Sequence, residues 1–180
     1  MKEFSQEKPL IIMGIDPGTK ITGYALIESF LGKERVIDFG VIKPPYKYTL
    51  HQRYLLIFNG INELIKKFKP HSFAVETQFV KKNVQVALKL GMARGVSLLA
   101  ASINNLEIFE YAPKKAKLAV VGNGSASKFQ VQKMVQVLLN LKSIPEPEDA
   151  ADAMAIAICH AHNIRLNQGI IKCMNISKVN

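Results

Sequence analysis

A chain of 180 residues, 48% of them hydrophobic, is long enough for one domain with a full core and too short for two of ordinary size. Its 24 Lys and Arg against 14 Asp and Glu leave a net charge of +10, which favours a polyanionic partner, nucleic acid before membrane, and no run reaches the roughly 18 apolar residues that a membrane span needs. Two cysteines, Cys159 and Cys173, exclude a disulfide framework and fit a reducing cytoplasm, and the short apolar start is no signal peptide, being broken by Asp16-Pro17-Gly18.

Residues 1–9 read as an N-terminal extension. The run Leu10-Ile11-Ile12-Met13-Gly14-Ile15 reads as a buried strand that ends in Asp16 and a Pro17-Gly18 turn. Strands are expected again at 22–28 and about 34–43. Tyr54, Ile57, Phe58, Ile61, Leu64, Ile65 and Phe68 recur at helical spacing, which predicts an amphipathic helix over 49–68, stopped before Pro70. A second core strand at 72–76 ends in Glu76. A long helix near 83–103 follows, then a strand at 107–111 that stops before Pro113. Helices are expected near 126–140 and 148–162, separated by Ser143-Ile144-Pro145-Glu146-Pro147. Residues 164–180 show no periodicity and are expected to form a flexible tail beyond a single domain of residues 10–163.

The acids stand out because the chain is basic. Asp149 and Asp152 open the last helix three positions apart, so they project from one face, ahead of the apolar stretch Ala153-Met154-Ala155-Ile156-Ala157-Ile158. Alone, the pair reads equally well as an N-cap aspartate and a second acid favoured by the helix dipole. Asp16 and Glu76 change that balance. Each ends a core strand beside the loop that follows it, where α/β folds place chemistry. Like charges gathered at a core edge repel, so a cation is expected among them.

These same residues resemble a known family. Ile12-Met13-Gly14-Ile15-Asp16-Pro17-Gly18-Thr19 with Thr22-Gly23-Tyr24 is similar to the first motif of the RuvC family of Holliday junction resolvases. Phe73-Ala74-Val75-Glu76 with Phe79 and Asn83 resembles its second motif, and Ala87-Leu88-Lys89-Leu90-Gly91-Met92-Ala93-Arg94-Gly95 its long central helix. Val120-Val121-Gly122-Asn123-Gly124-Ser125-Ala126-Ser127-Lys128, then Gln130-Val131-Gln132, resembles its basic loop and helix. Asp149-Ala150-Ala151-Asp152-Ala153 with His160 resembles its last motif. The matches run in order across residues 10–162.

Three meandering strands followed by alternating helices and strands describe an α/β fold of the ribonuclease H type, a mixed five-stranded sheet with helices on both faces. The resemblance implies a structure-selective endodeoxyribonuclease that resolves four-way junctions in recombination and repair. Its catalytic and metal-binding acids would be Asp16, Glu76, Asp149 and Asp152. Four carboxylates carry a charge that two divalent ions balance, and oxygen-only ligands favour Mg²⁺, with Mn²⁺ as a substitute. Two such ions suit in-line displacement at a phosphodiester. Lys117 and Lys128 match family lysines of the cleft and DNA backbone, with Lys114, Lys115 and Lys133 extending that surface; Lys81, Lys82 and Arg94 flank the second motif. Phe79, among polar neighbours, is expected to stack on an unpaired base. His160 and His162 read as structural or as supports for the acids.

Gly91 and Gly95 allow close approach of the sheet or of a second copy. The resemblance implies a homodimer, whose two-fold axis suits a two-fold junction, and a branch-migration motor as partner. Two rivals remain. An ATP-using enzyme of the actin, hexokinase and chaperone-ATPase class opens with a similar turn but needs two such halves. A metal-free junction binder accounts for the charge and not for four acids. Mg²⁺-dependent nicking of a four-way junction, with ATP hydrolysis in parallel, separates the three.

Overall fold

A computed structural model describes residues 8–77 and 83–176, with side chains as far as residue 167. The chain opens with an antiparallel meander of β1 (Leu10–Asp16), β2 (Thr22–Phe30) and β3 (Lys33–Ile42). Leu31 (φ 48°) and Gly32 (φ 80°) turn β2 into β3, both residues in the left-handed region that a two-residue hairpin requires. The chain then crosses the sheet twice. Helix α1 (Leu50–Phe68) leads to β4 (Ser72–Glu76), parallel to β1, and α2 (Val84–Ile103) leads to β5 (Glu107–Tyr111), parallel to β4. The order is β3-β2-β1-β4-β5. This is the expected mixed five-stranded sheet.

Alternation along the central strands divides the core in two. Met13, Ile15, Leu26, Phe73 and Val75 face α1 and α2, where Ile57, Ile61 and Ile65 meet them at helical spacing. Ile12, Ala25, Ile27 and Ala74 face the other layer, made of α3 (Pro113–Val121), α4 (Lys128–Leu138) and α5 (Glu148–Ile176). β1 is apolar on both faces because both are covered. α5 is the central helix of its layer: every residue from Ala153 to Ala161 is buried, so the usual polar stripe is missing.

Three expectations are corrected. Pro113 does not merely end β5; it occupies the first turn of α3, where its missing N–H is harmless and its φ is already helical. α5 does not stop near 162 but continues to Ile176, through residues expected to be a flexible tail. Val84–Ile103, with a mean hydropathy of 1.5, is long and apolar enough to cross a membrane, contrary to the expectation that no such run exists. Lys89 and Arg94 lie within it, and its Ala93, Ser97, Ala100 and Ala101 are buried in the folded domain.

Candidate active site

The parallel register of β1 and β4 pairs Ile15 with Val75. One residue further, Asp16 and Glu76 stand level on adjacent strands, roughly 4.8 Å apart by sheet geometry. Both project toward α5, one step out of phase with Ile15 and Val75. Thr22 secures the turn beyond Asp16: its hydroxyl donates to the Gly18 carbonyl (2.8 Å) and accepts from the Gly18 N–H (3.3 Å). The Thr77 N–H donates to the Tyr111 carbonyl (2.8 Å), which fixes the exit from Glu76.

Two glycines bring the second pair of acids to the first. Gly23 pairs with Asp16 across the β1–β2 ladder, and a side chain on it would run into the Asp149 carbonyl. A side chain on Gly14 would strike the Ala153 carbonyl and the Ala157 Cβ. The absence of two Cβ atoms thus lets the α5 backbone lie directly on the strands, with Asp149 and Asp152 in its first turns beside Asp16. The sequence reading passed over this role, although glycines on adjacent strands facing an Ala-rich helix are its signal.

This proximity has an electrostatic consequence. Burial, then the charges of Glu76, Asp152 and Asp149, push the Asp16 carboxyl up to about 8. Burial and Asp152 push Glu76 up to about 7, against the pull of Lys117 and Lys128. Asp152 is also raised, chiefly by burial, with Lys128 opposing. Among the described residues no three acidic, His or Cys side chains already form a closed ion cage. The acids are coupled neighbours around which a cage would have to tighten. Oxygen donors, burial and mutual repulsion make them a fit for hard divalent ions, which would relieve the charge.

The lysines are placed unequally. Lys117 Nζ donates to the Ala126 carbonyl (2.7 Å), so α3 presents its charge to Glu76 and Asp152 from a fixed position. Lys128, the first residue of α4, lies 2.7 Å from Glu148 and 3.8 Å from Asp152, and the Glu148 contact raises its pKa. Glu148 is therefore part of this surface, unnoticed in the sequence because it adjoins the motif without belonging to it. Lys115 lies over the Tyr111 ring and Lys133 over Phe129. Arg94 is paired with Glu110 on β5. Phe79, Lys81 and Lys82 lie outside the described residues.

His160 is structural. One ring nitrogen meets the Tyr111 hydroxyl (2.7 Å), the other the Ser72 hydroxyl (3.0 Å), and Phe109 packs on the ring at 4.1 Å. Burial pushes its pKa down to about 4, so it is neutral and bridges α5 to β4 and β5. That bridge sits two turns behind Asp152 on the helix that carries it.

The family model for crossover junction endodeoxyribonuclease RuvC matches residues 12–160. A RuvC of Protochlamydia amoebophila is 57% identical over 159 residues, spanning 88% of this chain and 95% of its own length. One from Halothermothrix orenii is 50% identical over 159 residues, spanning 88% and 96%. Among solved structures, Thermus thermophilus RuvC in complex with Holliday junction substrate is similar with a TM-score of 0.83 at 33% identity, over 88% of this chain and 96% of that one.

Proposed function

The chain belongs to the RuvC family of crossover junction endodeoxyribonucleases, and we propose that it resolves four-way DNA junctions at Asp16, Glu76, Asp149 and Asp152. The observation that carries this reading is the convergence of four acids from two strand ends and one helix start, with the carboxyls of Asp16, Glu76 and Asp152 raised by burial and by one another. Asp16 and Glu76 would hold ions from the sheet, and Asp149 and Asp152 from the helix. Two Mg²⁺ per subunit, replaceable by Mn²⁺, would balance the four charges. The chemistry such ions would supply, if bound there, is polarisation of the phosphodiester and activation of an attacking water.

The remaining work falls to the chain itself. Rigid strand ends and the helix seated on Gly14 and Gly23 keep the acids in register, so only their side chains would have to close on the ions. Lys117, tethered to the Ala126 carbonyl, sets a positive charge beside Glu76 and offsets the incoming phosphate. Lys128 is free to exchange Glu148 for a phosphate oxygen at the rim. Phe79 is assigned to stacking on an unpaired base at the junction centre, on the family resemblance.

A homodimer is proposed on α2. Val84, Leu88, Met92, Leu99 and Ile103 are exposed, and added side chains on Gly91 and Gly95 would meet nothing within 4 Å. These glycines do not serve packing on the sheet, which leaves a second copy as the surface they fit. Sedimentation should give a dimer, and L88E with M92E a monomer. We place the protein in the cytoplasm, where the buried free thiol of Cys159 stays reduced. Residues 10–163 are taken as the nuclease unit, and contact with a branch-migration motor is proposed on family grounds alone.

The test is Mg²⁺-dependent nicking of a synthetic four-way junction with cut sites mapped on all four strands. Symmetric cuts in one opposed pair support the reading. Strict Zn²⁺ dependence, or no cleavage with any divalent ion, would sink it.

A further inference from the structure

The edge of the sheet that bears Asp16 and Glu76 continues away from α3 and α4, past β2 to β3. β1, β2 and β3 are antiparallel in turn, so the end of β1, the start of β2 and the end of β3 share this edge: Asp16 pairs with Gly23, and Thr22 with Ile42. Lys20 is exposed in the β1–β2 turn, and the segment Lys43-Pro44-Pro45-Tyr46-Lys47-Tyr48-Thr49 leaves β3 there. At roughly 4.8 Å between strands, the base of this segment lies about 10 Å from Asp16. That is too far to touch a reacting phosphate and close enough to touch the same DNA.

The segment is built rather than loose. The Tyr48 N–H donates to the Pro45 carbonyl (3.0 Å). Arg53, in the first turn of α1, donates from Nη2 to the Tyr46 carbonyl (2.6 Å) and from Nε to the Tyr48 carbonyl (2.9 Å), and its guanidinium lies 5.8 Å from the centre of the Tyr46 ring. Yet Tyr46 is 91% exposed, and Lys43 and Lys47 are exposed beside it. A tyrosine held out by a fixed backbone contributes nothing to the core. Along these stretches of chain the charge has one sign: residues 17–27 and 39–62 contain Lys20, Lys43, Lys47 and Arg53 and no Asp or Glu, with Asp16 of the acid cluster about 10 Å away.

We propose that Lys20, Lys43, Tyr46 and Lys47 form a second DNA surface that grips the sugar-phosphate backbone of one duplex arm beside the cleavage site. This rests on the nuclease reading of the acid cluster. A duplex arm is the fitting partner because its bases are paired and offer no free face to Tyr46, whereas its phosphates suit lysine ammonium groups and a tyrosine hydroxyl. With one phosphate per roughly 3.4 Å of helix axis on each strand, a reach of about 10–15 Å places the contacts roughly three to four nucleotides from the bond that is cut. A protein partner would call for charges of both signs or an apolar centre, and the segment has neither.

The test compares two lysine pairs in the full chain carrying Asp16→Asn, so that binding is read without cleavage. K43A with K47A removes two charges at this edge. K66A with K67A removes two from the last turn of α1, also exposed but at the far end of the sheet. The near pair should weaken junction binding about tenfold and make its salt dependence shallower by roughly 2 in log–log slope, while the far pair changes neither. Y46A should weaken binding in the same direction. Neutral methylphosphonates roughly three to four nucleotides on either side of the cut should weaken binding by the parent chain and leave the K43A and K47A variant unaffected. Equal behaviour of the two lysine pairs overturns the proposal, as does equal sensitivity of parent and variant to the neutral linkages. Nicking by the unsubstituted chain reports separately on the acid cluster, so the two readings fail independently.

Discussion

α2 and α5 are both long and apolar, yet they occupy opposite situations. α5 is buried from Ala153 to Ala161 and carries Glu148, Asp149 and Asp152 in its first turns, the two aspartates half-buried. α2 buries Ala93, Ser97, Ala100 and Ala101 and leaves Val84, Leu88, Met92, Leu99 and Ile103 in solvent. Composition alone would bury α2, the more apolar of the two, more deeply, and it does not. What separates them is the opposing surface: Gly14 and Gly23 let α5 settle backbone-to-backbone on the strands, whereas Gly91 and Gly95 face nothing within this chain. A glycine is thus a closed contact in one place and an open one in the other.

The sharpest way to break the comparison is at the acids that α5 and the strands bring together. Asp16→Asn, Glu76→Gln, Asp149→Asn and Asp152→Asn should each abolish junction nicking while binding persists, since charge on the surface holds the DNA. Full-rate nicking by any one removes that residue from the site. Next comes the bridge that locks α5 in place. His160→Ala orphans the buried Ser72 and Tyr111 hydroxyls, at about 1–3 kcal/mol each, so urea unfolding should show a loss of about 2–6 kcal/mol. Because the folded pKa of His160 is depressed to about 4, its contribution is complete above the unfolded value near 6.5 and is lost as pH falls through 4. The variant's stability should therefore vary less than the parent's across that range.

Smaller effects probe the glycines and the acid cluster. Gly14→Ala drives a methyl into the Ala153 carbonyl and should destabilise by about 1–3 kcal/mol, with slower cleavage as α5 lifts. In the absence of divalent ions, Asp16 at about 8 and Glu76 at about 7 favour the folded state while protonated. That contribution is full below about 4, the unfolded value, and lost as pH rises through 7 and 8. Melting temperature in EDTA should fall over this window, and Mg²⁺ should restore it most at the alkaline end; a flat profile would contradict the mutual repulsion. The least effect has the opposite sign. Gly95→Ala meets no clash and should stabilise the subunit by about 0.5–1 kcal/mol by stiffening α2, while weakening any dimer that needs the close approach. Calorimetry and sedimentation on one sample read both.

Much was legible in the residues themselves, because periodicity and strand-end placement are local. The apolar run ending at Asp16, the run ending at Glu76 and the three-residue spacing of Asp149 and Asp152 name the acids, and the ordered motifs name the family. Other features depended on what lies opposite in space. Pro113 reads as a stop for β5 and equally as a start for a helix, and only the packing of Ala116 and Val120 into the core selects the helix. Lys128 reads as a DNA contact, but its neighbours Glu148 and Asp152 come from another helix. The exposed lysines of the 43–49 segment look like ordinary loop charge until antiparallel register carries them to the edge that holds Asp16. Which residues carry charge and which end a strand was decided by the sequence alone; how the charges combine was decided by tertiary structure, because carboxylate repulsion, burial and ion pairing act between atoms that are close in space and far apart along the chain.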